Sequence, residues 1–389
     1  MTKADKEGQR KAPILRFKGF TDAWEQRKLS EMTQQVKRTS DSENPILTIS
    51  AKNGWMDQKD RFNRVIAGKE LKNYIELYKN ELSYNHGNSK YAKFGIIYVQ
   101  RKYEKALVPK VYHSFSMSYG DPRFIENLSL GHKLDKELSK LITSGARQDG
   151  LLNINKKSFY TIKLFTPSEQ EQIKISNIMD VINHVITLYE KKKQLLTQLK
   201  QGIVNFLITK NGQKPQLRFI GFNNNWESKS FEKLLNYEQP TKYIVKKTDY
   251  ISQGTPVLTA NKSFILGYTN ENNVYQNIPA IIFDDFTLES KYVDFPFMIK
   301  SSAIKILTSK NSNLFFIYQL LNNQRFVQEG HSRHYISVVQ KKKVLVPFIQ
   351  EQNKIGNLIK QLKNNIEQNS NTITLLKRLK EFLLQNMFL

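Results

Sequence analysis

The sequence predicts an α+β chain built twice over: two similar α/β modules separated by two long helices that pair as an antiparallel coiled coil. Three observations carry this. An opening passage recurs at an offset of 202, a helical passage recurs at an offset of 180, and apolar residues follow each helical passage at heptad spacing.

The opening, "PILRFKGFTDAWEQ" from Pro13, returns as "PQLRFIGFNNNWES" from Pro215, with eight identities in thirteen positions. They are Pro13, Leu15, Arg16, Phe17, Gly19, Phe20, Trp24 and Glu25 against Pro215, Leu217, Arg218, Phe219, Gly221, Phe222, Trp226 and Glu227. The aromatic residues read as core anchors where each module begins, and the glycines suit a turn. The helical passage, "TPSEQEQIKISNIM" from Thr166, returns as "VPFIQEQNKIGNLI" from Val346, sharing the Pro, the Gln-Glu-Gln triplet, the Lys and the Ile. The two offsets differ, so the middles between the repeated blocks differ in length. The expected boundaries are a polar tail over 1–12, modules over 13–166 and 212–346, and long helices over 167–211 and 347–389.

Ser168 with Glu171 suggests a capping box after Pro167, and "KNGQKP" supplies a stop near residue 212. A helix from about 168 to 208 would run roughly 60 Å. The expected helix-helix seam is Ile175, Ile178, Ile182, Val185, Leu196, Leu199 and Ile203 on the first helix and Ile355, Leu358, Leu362, Leu376, Leu379 and Leu383 on the second. Both helices are most polar near their centres, at "EKKKQ" and "EQNSN", which antiparallel pairing would bring together. Buried polar groups there would fix register. Two separate amphipathic helices, each covering its own module, are the alternative.

The middles mix α and β. "FGIIYVQ", "AIIFDDF" and "SAIKILT" read as strands and "NLFFIYQLLNNQRFV" as a helix. Faint echoes join them, such as "NPILTISAKNG" at 44–54 and "TPVLTANKS" at 255–263, so the middles read as one fold with different surfaces.

Composition narrows the function. Sixty Lys and Arg against 35 Asp and Glu give a net charge of +25, which favours a polyanionic partner, nucleic acid before membrane. The two helical stretches hold only +2 and +3 of it, in proportion to their length, so charge alone does not locate a binding face. Cysteine is absent, excluding disulfides and Cys-based zinc sites, and a cytoplasmic setting fits. No apolar run approaches a membrane span.

The ordered quartet of blocks, opening, helix start, opening, helix start, resembles the specificity subunits of type I restriction-modification systems, and the resemblance covers nearly the whole chain from residue 13. It implies a non-catalytic targeting subunit in a system that defends against foreign DNA. Each middle would be a target recognition domain reading one half of a bipartite site in double-stranded DNA. The paired helices would space the domains and dock two methyltransferase (modification) subunits, with restriction (translocase and nuclease) subunits joining. S-adenosylmethionine, ATP and Mg²⁺ would belong to those partners, and this chain would hold no cofactor and no metal.

Candidate DNA contacts follow from loop chemistry, since Lys and Arg neutralise phosphates and Asn can pair with an adenine edge. They are Lys52, Asn53, Asn88, Lys90 and Arg147 in the first module and Asn261, Lys262, Arg333 and His334 in the second. The runner-up is a stand-alone duplicated DNA-binding protein or Mg²⁺-dependent nuclease, for which Asp284 and Asp285 before Glu289 and Lys291 supply a D…ExK pattern. "HSRH" at 331–334 lacks further ligands nearby. No GxxxxGK[ST] loop and no Asn-Pro-Pro-aromatic tetrapeptide appears, against an intrinsic ATPase or amino-methyltransferase.

Overall fold

A computed structural model describes residues 12–39, 44–62, 74–142, 151–208, 214–261, 263–327 and 334–389. The chain divides into two compact units. Unit 1 is Met1–Tyr189 with Thr372–Leu389, and unit 2 is Glu190–Asn371.

In unit 1 the opening leads into β1 (Glu25–Lys28), a single helical turn α1 (Leu29–Met32) and β2 (Thr33–Gln35). Next come the hairpin β3 (Leu47–Ser50) and β4 (Gly54–Asp57), then α2 (Gln58–Phe62) and β5 (Tyr74–Tyr78). The hairpin β6 (Leu82–Asn85) and β7 (Ile96–Val99), β8 (Lys105–Pro109) and β9 (His113–Met117) follow. Three helices, α3 (Pro122–Leu130), α4 (Asp135–Ser139) and α5 (Lys156–Phe159), precede β10 (Lys163–Thr166) and the 39-residue helix α6 (Glu169–Leu207). Four strands form a sheet in the order β2-β9-β6-β7, and β1 pairs antiparallel with β10.

Unit 2 repeats this plan. β11 (Glu227–Ser230), the turn α7 (Phe231–Leu234) and β12 (Asn236–Glu238) are followed by β13 (Thr255–Leu258) and β14 (Ile265–Thr269). Then come β15 (Ala280–Asp284), β16 (Ser290–Val293), β17 (Met298–Ile299), β18 (Ile304–Thr308), α8 (Leu314–Asn322), β19 (Lys343–Val346) and the helix α9 (Ile349–Asn386). Its four-stranded sheet runs β12-β18-β15-β16, the same order as in unit 1, and β11 pairs with β19 as β1 does with β10. In each unit a hairpin follows the second strand, β3–β4 and β13–β14. The divergent middles therefore share the order of the four-stranded sheet and the hairpin, while β5, paired with β8, has no counterpart among the described residues of unit 2, where β13 pairs parallel with β17.

The two repeated blocks are the two sides of one contact, made once in each unit. The Arg16 guanidinium donates from Nε and Nη2 to both oxygens of Glu171 at 2.9 and 2.7 Å, and from Nη1 to the Asp22 carbonyl. Arg218 does the same to Glu351 at 2.9 and 2.7 Å and to the Asn224 carbonyl. These bonds push both guanidinium pKa values further up. Gln172 reaches back to the Pro167 carbonyl and accepts from the Asp121 amide, while Gln352 bonds Pro347 and Asn313 alike. Lys174 lies over the Phe20 ring and Lys354 over Phe222. Trp24 meets Phe124 edge-on, and Trp226 meets Phe316. Gly19 and Gly221 have φ of 98° and 91°, a conformation that explains glycine at both positions. The expected capping box changes meaning: both Glu171 oxygens are taken by Arg16.

The long helices run antiparallel in both units. In unit 1 the first half of α6 shares a core with the end of α9, through Ile175, Met179, Ile182 and Ile186 with Leu383, Leu384 and Met387. In unit 2 the end of α6, through Val204 and Leu207, shares a core with Ile355 and Ile359 at the start of α9. The polar centres meet as expected, Lys193 donating to the Ser370 hydroxyl at 3.0 Å.

The seam corrects the expected register. One heptad position is as expected, through Ile175, Ile182, Leu196 and Ile203. The other is Met179, Ile186, Lys193, Lys200 and Leu207, one residue on from the expected row, so Ile178 and Val185 lie only partly buried at its flank. Leu199 is 51% exposed and faces away. On α9 the seam is Ile355, Ile359, Leu362, Ile366, Asn369, Ile373, Leu376, Lys380 and Leu383, with Met387 just past the helix end, each at the 180 offset from an α6 position, Asn369 answering to the half-buried Tyr189. Leu358 flanks it and Leu379 is 45% exposed. The second row was misplaced because its true positions include Lys193, Lys200 and Lys380, whose long apolar stems fill seam space that an apolar count does not credit.

Candidate DNA interface

The β3–β4 hairpin turns through Ala51, Lys52 and Asn53 into Gly54, whose φ of 71° closes the tip. Lys52 and Asn53 are exposed there, and the Asn53 amide donates to the Ser50 hydroxyl. The tip is fixed from below, since the Tyr98 hydroxyl donates to the Ala51 carbonyl at 3.1 Å and the Asn85 amide to the Ile49 carbonyl at 3.3 Å. Beside it lies the β6–β7 loop, where Ser89 and Ala92 exchange backbone bonds and leave Asn88, Lys90 and Tyr91 exposed. The Lys52 ammonium sits 5.6 Å over the Tyr91 ring. The structure thus sets the two loops that carry four expected contacts, Lys52, Asn53, Asn88 and Lys90, next to one another, joined by Lys52 over the exposed Tyr91 ring.

In unit 2 Asn261 is exposed at the matching β13–β14 tip, which the Thr259 amide closes onto the Phe264 carbonyl at 3.0 Å. His334 does not belong with it. Its side chain is 1% exposed, with Nδ1 3.1 Å from the Asp285 carbonyl, so its ring packs inside the unit and presents nothing to a ligand. Arg147, Lys262 and Arg333 lie outside the described residues.

The D…ExK pattern does not form a metal site. Asp284 caps its own turn, accepting from the Phe286 and Thr287 amides. Asp285 is buried with Lys305 at 3.4 Å and accepts from the Tyr335 amide at 2.8 Å. Among the described residues no group of three or more His, Asp or Glu could hold a metal ion.

Two cation groups escaped the sequence reading. Arg101 and Lys102, just after β7, bind Glu126 and Asp57. Lys156 has its pKa lowered by burial and then by Lys37 and Lys110, a local excess of positive charge. Neither stands in a motif, and only the fold collects them. No helix among the described residues is long and apolar enough to cross a membrane.

No protein-family model matches this sequence. Over 123 residues it is 50% identical to the specificity subunit of the type I restriction enzyme EcoR124I/EcoR124II of Escherichia coli, a match spanning 29% of this chain and 30% of that relative's length. In fold it is similar to the S subunit of a type I restriction-modification system from M. genitalium, with a TM-score of 0.64 and 14% identity over 97% of this chain and 99% of that one. By part of its sequence and by its fold from end to end, the chain is similar to type I specificity subunits, the resemblance to which its repeated blocks pointed.

Proposed function

We propose that this chain is the DNA-targeting subunit of a type I restriction-modification complex, acting in the cytoplasm and holding no catalytic site of its own. Each unit reads one half of an asymmetric bipartite site in double-stranded DNA. The observation that carries the reading is the contrast within the repeat: sheet order and join are the same in both units, while the hairpin tips carry Lys and Asn in opposite order, Ala51-Lys52-Asn53 in one sequence and Ala260-Asn261-Lys262 in the other, and the segments beside them diverge. A repeated scaffold with unlike tips suits two unrelated half-sites, because base edges are read by the few side chains that reach the groove.

The long helices dock two methyltransferase subunits, which bring S-adenosylmethionine, and restriction subunits bring ATP-dependent translocation and Mg²⁺-dependent cleavage. Support comes from the apolar residues that face away from the seam: Val181, Leu188, Leu195 and Leu199 on α6, and Leu375, Leu379 and Phe382 on α9. Exposed rows of this kind mark protein contacts. The similarity in sequence and fold to specificity subunits supports the same assignment.

Methylated-base sequencing of host DNA with and without the gene tests this. Loss of methyladenine at an asymmetric bipartite motif is expected, and no change in any motif would overturn the reading. Exchanging residues 33–159 for the corresponding block of another such subunit should alter one half of the motif only.

A further inference from the structure

Below the β3–β4 tip of unit 1 lies a cleft of about 540 Å³, lined by Lys52, Asn53, Arg101, Lys102, Glu126 and, from the two long helices, Asn183 and Lys380. Two of its cations are already committed. Arg101 pairs with Glu126, and Lys102 with Asp57, which also accepts from the Tyr103 hydroxyl at 3.1 Å. Lys52 and Lys380 make no ion pair among the described residues.

Lys380 is the unusual member. It occupies a seam position between Leu376 and Leu383, where an apolar residue would stabilise the helix pair more. Burial lowers its pKa, and the nearby Glu126 opposes this. The Glu126 carboxylate is itself occupied, by Arg101 and by the Val99 amide at 3.0 Å. The Lys380 ammonium therefore lines an open cleft, half desolvated, with the adjacent carboxylate bound elsewhere. A bound anion would give it the partner that the protein does not.

The counterpart of Lys380 on the other long helix is Lys200, at the same seam position. Lys200 is likewise half-buried with a pKa lowered by burial, but Lys363 and Glu367 are the charges facing it, and it does not line this cleft. The cleft thus belongs to the first recognition surface and not to the helix pair as such.

Resting on the DNA-reading function above, we propose that this cleft binds one backbone phosphodiester of the DNA, held by Lys380 from the long helix together with Lys52 and the Asn53 and Asn183 amides. The helix is then part of the DNA contact as well as a spacer. It anchors the strand directly beneath the tip whose side chains read bases, and so sets the register of reading.

The full-length chain is titrated into a fluorescent duplex between about 50 and 200 mM salt, the range over which counterion release is read. Replacing Lys380 by Gln should reduce the slope of log affinity against log salt by about 0.9, the contribution of one phosphate in duplex DNA. Lys380→Arg should keep the wild-type slope, and so should Lys200→Gln, which disturbs the same seam position away from the cleft. An unchanged slope for Lys380→Gln, or equal reductions for Lys200→Gln and Lys380→Gln, would overturn the proposal while leaving the DNA-reading function standing. A wild-type chain that binds no duplex would remove both. Repeating the titration with inorganic phosphate in place of chloride at equal ionic strength separates the two anion sources. If phosphate abolishes the difference between wild type and Lys380→Gln, the cleft takes a free phosphate ion and the phosphodiester assignment fails.

Discussion

Arg16→Met tests whether the join holds each unit together. Glu171 is 1% exposed, and both its oxygens are bonded to the Arg16 guanidinium. Methionine fills much of the space of the arginine stem but leaves a buried carboxylate with no counter-charge, and breaking a buried pair from one side costs about 3 to 5 kcal/mol. The double replacement Arg16→Met with Glu171→Leu removes both charges and should recover most of that loss. With two units in the chain a single melting temperature is ill-defined, so the assay is hydrogen exchange resolved along the sequence. In Arg16→Met the amides of β1 and β10 should exchange faster, while those of β11 and β19 keep wild-type protection. Arg218→Met should show the reverse, because its pair with Glu351 has the same distances. A loss below about 1 kcal/mol, or equal loosening in both units after a single replacement, would refute the claim that this pair holds its own unit.

Other outcomes follow from the same geometry. The His113 ring, buried 5.1 Å from His86, is pushed down to about 4, so the fold keeps it neutral while the unfolded chain titrates near 6.5. Between those values the unfolded state binds more protons. Hydrogen exchange of the unit 1 core amides should therefore find the full contribution above about pH 6.5 and a loss approaching about 3 kcal/mol as pH falls toward 4; His113→Phe should flatten that slope, and an equal slope in the variant would refute it. Ile182→Ala, in the seam, should cost about 2 to 5 kcal/mol, whereas Leu199→Ala, off the seam and exposed, should stay within about 0.5 kcal/mol. Hydrogen exchange of the α6 amides around each replacement decides between the observed and the expected register. Glu289→Ala should leave DNA binding unchanged, and metal-dependent cleavage by the lone chain that this substitution abolishes would revive the nuclease reading.

The repeated modules, the antiparallel pairing and the strands "FGIIYVQ", "AIIFDDF" and "SAIKILT" were legible because they rest on identity at fixed offsets and on local apolar pattern. β7, β15 and β18 lie where those patterns put them. The seam was half legible. A heptad row containing Lys193, Lys200 or Lys380 looks polar in sequence, although a lysine stem packs in a seam while its ammonium reaches outward. His334 misled for the opposite reason: a histidine beside an arginine in a loop-like stretch reads as a contact, and only the approach of Asp285 shows it to be internal. The cleft of unit 1 was illegible, because Lys52, Arg101 and Lys380, far apart in sequence, are brought together only by packing within that unit, to which the end of α9 belongs.

The pattern of repetition itself has a physical cause in the contacts. Arg16 and Glu171 stand 155 residues apart, and Arg218 and Glu351 stand 133 apart, yet both pairs have the same bidentate geometry. Each side constrains the other. A change at Arg16 strands Glu171, and a change at Lys174 uncovers Phe20, so the opening and the helix start can only persist together. Among the described residues Lys52, Asn53 and Asn261 make no ion pair: Lys52 lies over the exposed Tyr91 ring and Asn53 reaches Met56, on hairpins whose backbones are held by other residues. The tips can vary without loosening the units that carry them. On the proposed function, a new half-site would come from changes at the tips and in the loops beside them, while the join and the seam carry the altered surface unchanged.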